Sequence, residues 1–163
     1  MPASSRWRTW VATAVVALAT ACGGSSGSSG STASTPAPTP TAAPVVLSAT
    51  ATVAGASQTI FTDTKGLTLY YFTPDKGGVV TCLTTCAQNW PPLKLPAGVT
   101  TPTGDKGVTG TLGTVSNPEG GTQITYNAWP LYTWIKDQKP GDTTGQGVQG
   151  KWFVITPTTA SAK

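Results

Sequence analysis

The sequence predicts a mainly β domain, a small two-repeat, pseudo-twofold sandwich or barrel with one short helical turn. Three observations predict it. Only 10% of the 163 residues are charged, while 19 Gly and 14 Pro accompany an excess of Thr, Ser and Ala, a composition suited to turns and short strands rather than long surface helices. Apolar and polar residues alternate with period two in three stretches of each half. The folded part also matches itself without gaps at an offset of 62, through Val46/Val108, Thr52/Thr114, Val53/Val115, Leu69/Leu131, Tyr70/Tyr132, Asp75/Asp137, Thr81/Thr143 and Trp90/Trp152. Phe72/Trp134 and Leu93/Ile155 keep their character, so each half repeats one supersecondary unit.

Residues 1–21 have the order of an export signal: Arg6 and Arg8 with no acid, the apolar run WVATAVVALA, then small residues up to Cys22. That run is too short to span a bilayer. A cysteine after small residues, followed by Gly-Gly-Ser-Ser, resembles the lipobox of bacterial lipoproteins, although the Leu preferred three places before the cysteine is Ala19 here. The resemblance implies a fatty-acylated Cys22 that anchors the chain to the outer face of the plasma membrane. A plain secretory leader with a spare cysteine is the alternative.

Residues 22–44 are a Gly/Ser then Pro/Thr/Ala tether without apolar periodicity, able to hold a domain on the order of 30 Å from the membrane. A single domain follows at 45–157, divided into repeats 45–106 and 107–157, with a tail at 158–163.

Within each repeat, the stretches VLSATATV and VTGTLGTV, then SQTIFTD and TQITYN, then LTLYYFT and LYTWIKD have the period of strands, giving six to eight in all. Ala54-Gly55, Asp63-Thr-Lys-Gly66 and Asn117-Pro-Glu-Gly-Gly121 supply the turns. The helical turn falls at Cys82–Asn89 and is stopped by Pro91-Pro92.

The third strand of each copy carries Tyr-x-[Phe/Trp]-x-x-Asp, as Tyr70, Phe72, Asp75 and Tyr132, Trp134, Asp137. Cys82-x-x-x-Cys86-Ala-x-x-Trp90-Pro-Pro follows in the first copy, and Pro-Gly-Asp142-x-x-Gly-x-Gly-Val-x-Gly-x-Trp152 in the second. Over roughly residues 58–156 these motifs resemble a family of bacterial secreted lipoproteins, the secreted repeat of unknown function. The resemblance implies an exported protein and no particular activity.

Two readings of the motif stand side by side. Tyr70 and Phe72 share one strand face and Leu69 and Tyr71 the other, so the strands can be buried on both sides, each Tyr hydroxyl and Asp carboxylate satisfying backbone or one another. Alternatively, the aromatics, with Trp90 and Trp152, form a stacking platform with an acidic handle for a glycan or other extended ligand. Export into an oxidising compartment predicts a Cys82–Cys86 disulfide, with a redox or electron-transfer role as its functional counterpart.

Composition excludes several classes. Without the leader arginines the net charge falls to about +2 with scattered lysines, which is no nucleic-acid footprint. No His is present, so Ser-His and Cys-His nucleophile pairs are absent, and no cofactor or metal site is expected. Asp75 and Asp137 are the one motif-backed carboxylate pair a hydrolase could use. The reading that results is a surface lipoprotein carrying a non-enzymatic envelope binding or structural module, its partners the membrane through the lipid and a cell-wall glycan or envelope protein. An envelope redox accessory and a carboxylate hydrolase are the rivals.

Overall fold

In the computed structural model, β1 (Leu47–Val53) and β2 (Ala56–Thr62) pair along their whole length, from Leu47 opposite Thr62 to Val53 opposite Ala56. The turn is Ala54-Gly55, with φ of +50° and +86°, the sign that matches the twist of a tight hairpin. β3 (Tyr70–Phe72) follows the Asp63 turn, in which the Asp63 carboxylate accepts from the N–H of Lys65 and Leu67, both at 2.9 Å. α1 (Thr85–Asn89) is the predicted helical turn. In the second copy, β4 (Leu112–Ser116) and β5 (Thr122–Tyr126) form the corresponding hairpin, β6 (Trp129–Pro130) extends it, and β7 (Trp152–Val154) closes the series.

The structure describes residues 43–162. The leader, Cys22 and most of the tether lie outside the described residues. Those described form three small antiparallel sheets, β1-β2, β3-β7 and β4-β5-β6, joined by single bridges and not closed into a barrel.

One predicted strand is reduced. LYTWIKD keeps only an isolated bridge at Tyr132, whereas its counterpart in the first copy forms β3. The partner explains this. β3 pairs with Trp-Phe-Val of β7, Tyr71 opposite Phe153, but residues 131–133 lie beside Pro91-Pro92. Thr133 donates to Pro91 O at 2.9 Å, and Pro91 has no N–H with which to answer.

These pairings cross between the repeats. The last strand of repeat two, β7, lies against β3 of repeat one, and Phe61 N–H donates to Ile155 O at 3.1 Å. Residues 92–94 of repeat one lie in repeat two, with Leu93 N–H donating to Leu131 O at 2.9 Å and Ile124 N–H to Leu93 O at 2.8 Å. Repeat two therefore lends the strand β7 to repeat one, and repeat one lends a segment held by isolated bridges to repeat two. The pseudo-twofold axis passes where Tyr70 and Tyr132 exchange backbone hydrogen bonds of 2.8 and 3.0 Å.

Period-two alternation with both faces apolar produces two cores. Ile60, Tyr70, Trp90, Tyr132, Trp134, Trp152 and Val154 pack on one side, and Phe61, Leu69, Ile124, Tyr126, Leu131 and Ile155 on the other. The segment predicted as a tail is part of the fold through Ala162. Its N–H donates to Asn127 O, its carbonyl accepts from Gly77, and Trp129 Nε1 donates to Ala160 O. Backbone polar groups of the β5–β6 turn find partners there, which ties the last residues down.

Candidate functional site

The repeated motifs converge on the pseudo-twofold axis. Tyr70 Oη donates to Asp137 Oδ2 at 2.5 Å, and Tyr132 Oη donates to Asp75 Oδ2 at 2.5 Å, so each tyrosine bonds the aspartate of the other repeat. The second carboxylate oxygen is satisfied locally. Asp75 Oδ1 accepts from the N–H and hydroxyl of Thr81 at 2.9 and 2.6 Å, and Asp137 Oδ1 from those of Thr144 at 3.0 and 2.7 Å. The ungapped alignment pairs Thr81 with Thr143. The structure places Thr144 in that role, one residue later, while Thr143 caps the Thr52 carbonyl at 2.7 Å.

Asp75 and Asp137 are 0% and 4% exposed, and both tyrosines are fully buried. Burial raises both tyrosine hydroxyls well above the ordinary phenol range, and the aspartate each one bonds adds to the rise. Burial also raises the Asp75 carboxyl, against the hydrogen bonds from Thr81 and Tyr132. Among the described residues no buried side-chain nitrogen or oxygen lacks a partner. The Tyr/Asp motif is thus a reciprocal lock between repeats. The two carboxylates line no open groove, which removes the geometry a glycoside hydrolase needs.

The motif aromatics form a column across the same axis. Phe72 stacks on Trp152 at 4.3 Å, Trp152 on Trp90 at 3.8 Å with 2° between the planes, and Trp90 on Trp134 at 4.0 Å. Tyr70 meets Trp90 edge-on at 5.3 Å and Tyr132 meets Trp152 at 5.2 Å, the same contact in each half. Lys136 Nζ sits 5.5 Å from the Trp134 ring centre. Trp90 and Trp152 are stacked on both faces, and Phe72 and Trp134 form the two ends of the column.

Beside the column lies a cleft of about 350 Å³ lined by Phe72, Thr85, Cys86, Asn89, Trp90, Trp134, Val148, Gln149 and Trp152. Cys82 and Cys86 form a disulfide that shapes its α1 wall, with Cys82 buried and Cys86 half-buried. Sequence reasoning singled out the aromatics but missed Thr85, Asn89, Val148 and Gln149. The one signal for them is their place just before Trp90 and Trp152 in the two long motifs. The described residues hold no group of three or more potential metal-ligating side chains, and none of their helices is long and apolar enough to cross a membrane.

With this geometry in view, the comparison with known families is specific. The family described as a secreted repeat of unknown function matches twice, over residues 51–94 and 113–156. The chain belongs to that family. The two matches are offset by the same 62 residues as the internal repeat, and each ends on the segment that pairs with the other half. No curated protein and no solved structure matches the chain.

Proposed function

We propose that this member of the family is a lipoprotein anchored through Cys22 to the outer face of the plasma membrane, and that its domain is a non-enzymatic envelope module that binds through the cleft. The observation that carries the reading is the division of labour within the motifs. The titratable pairs are buried and mutually satisfied, while the tryptophan column has one side on an open cleft with polar residues around it. A mixed apolar and polar concavity of this kind suits a ligand. The family's description as secreted supports an extracytoplasmic place.

Two measurements test it. A fatty-acid probe fed to cells should label the full chain and leave Cys22→Ser unlabelled; equal labelling would sink the anchor. The Cys22→Ser chain should sediment with purified envelope fragments, and adding Asn89→Ala with Gln149→Ala should lower the bound fraction several-fold. Unchanged sedimentation would sink the cleft. The motif variant Tyr132→Ala is unsuitable for this purpose, because it breaks the lock rather than the cleft.

A further inference from the structure

The first strand of each repeat has an outer edge, and the two edges are treated differently. On β1, Asp105 Oδ2 accepts from Ser48 N–H at 2.8 Å, and the Thr143 hydroxyl donates to Thr52 O at 2.7 Å, so side chains occupy the edge. The matching edge in repeat two belongs to β4. Thr81 and Thr144 are the equivalent carboxylate partners, so the position of Thr143 falls on Val80 in repeat one, and valine has no hydroxyl with which to cap Thr114 O.

The backbone of β4 shows which groups that leaves open. Asn127 N–H donates to Thr111 O at 2.8 Å and Asn117 N–H to Gly121 O at 3.0 Å, so the odd-numbered residues turn their backbone groups to the β5 side. Sides alternate along a strand, and the N–H and C=O groups of Leu112, Thr114 and Ser116 therefore point outward. Among the described residues none pairs with them, and β4 is an outer strand of its sheet. Natural sheets protect such an edge with a charge, a proline or a bulge. Residues 112–116 have no charged side chain and no proline, and Thr114 and Ser116 are exposed.

Three outward residues at two-residue spacing, centred on Thr114, form a pattern that is its own complement. A twofold axis through Thr114 sets Leu112 opposite Ser116 of a second copy, Thr114 opposite Thr114, and Ser116 opposite Leu112. Each such pair exchanges two backbone hydrogen bonds, so every outward group of both strands is used. Gly113 then faces the half-buried Val115 of the second copy in a close pair, where the missing side chain leaves room. No charge lies within the pairing, so identical strands meet without repulsion. We propose that β4 is a self-association edge, on which two copies of this chain pair antiparallel through Leu112–Ser116 and join their β4-β5-β6 sheets into one. None of these residues lines the cleft, so the inference stands apart from the binding reading.

The test uses the full chain carrying Cys22→Ser, so that no lipid drives association. Sedimentation velocity over a rising concentration series should show exchange between monomer and dimer. Amide exchange at Leu112, Thr114 and Ser116 should slow about tenfold from the dilute to the concentrated end, while Gly113 and Val115, already bonded to β5, stay unchanged. Thr114 is exposed, so replacing it spares the core. Thr114→Lys and Thr114→Glu should each weaken dimerisation about tenfold, because like charges stand opposite, and an equimolar mixture of the two should restore it. A dimer that both variants keep, or protection that spares β4, would overturn the proposal by placing the contact elsewhere. A monomer at every concentration would overturn it too, and protection of the same three amides by an added strand-forming peptide would then assign the edge to a foreign strand.

Discussion

The two loops that deliver Trp90 and Trp152 to the axis reach the same endpoint by different chemistry. In repeat one, a disulfide and the single turn of α1 hold residues 82–90. In repeat two, residues 145–152 hold a 3-10 turn, Val148–Gly150, with Gly147 at φ +75° and no covalent tie. Gly145 stands there because a Cβ would come within 2.8 Å of the Trp90 and Tyr70 rings. One loop is constrained by a bond and the other by the absence of side chains. The shared requirement is the position of the tryptophan, not the path to it.

The largest expected effect tests what the two halves share. Asp75→Ala and Asp137→Ala each leave a buried tyrosine hydroxyl and the N–H and hydroxyl of one threonine without their acceptor, and each should cost about 3 kcal/mol by denaturant unfolding. Near-equal losses would confirm a symmetric lock; a loss in one variant alone would show that a single repeat carries it.

A smaller effect separates the loops. Removing the disulfide with Cys82→Ala and Cys86→Ala should cost about 2 kcal/mol, given its short ring. Hydrogen exchange should then rise at residues 82–90 and stay unchanged at 145–152. Gly145→Ala should do the reverse, at about 1–3 kcal/mol, because the packed rings must shift. A spread of exchange across both loops in either variant would mean that the column transmits the disturbance from one half to the other.

The smallest effect is a pH dependence. The folded chain holds the Tyr70 and Tyr132 protons more tightly than the unfolded chain. The stability gained is fully present below the unfolded phenol value near 10 and is lost as pH rises past it. Unfolding midpoints should therefore fall from pH 9 to pH 11, with the slope reduced about equally in Tyr70→Phe and Tyr132→Phe. An unchanged slope in both would remove the tyrosines as its source.

Much of this was legible in the sequence because period-two patterning and an ungapped repeat report directly on strands and on symmetry. The Ala54-Gly55 hairpin and α1 fall where the residue types put them. Three features were not legible. An offset of 62 says that two units are alike but not which unit's strand completes which sheet, so the exchange of residues 92–94 and 152–154 was hidden. Pro91-Pro92 read as a helix stop, and its second consequence, a ladder with a missing donor, needs the partner segment to be known. The cleft residues Asn89 and Gln149 belong to loops whose conformations differ between copies, so no common pattern marks them.

The segments exchanged between the repeats bear on what happens when the chain is cut. Pro96-Ala97-Gly98 lies exposed between the two family matches. A protease acting there would leave two fragments, each holding an element that the other lacks and each supplying half of the Tyr/Asp pairs. The β1-β2 and β4-β5-β6 sheets would each stay within one fragment, and the β3-β7 sheet would be divided between them. Nicking should therefore yield an interlocked pair that separates only in denaturant and reassembles when the halves are mixed, the behaviour of a heterodimer that happens to be encoded as one polypeptide.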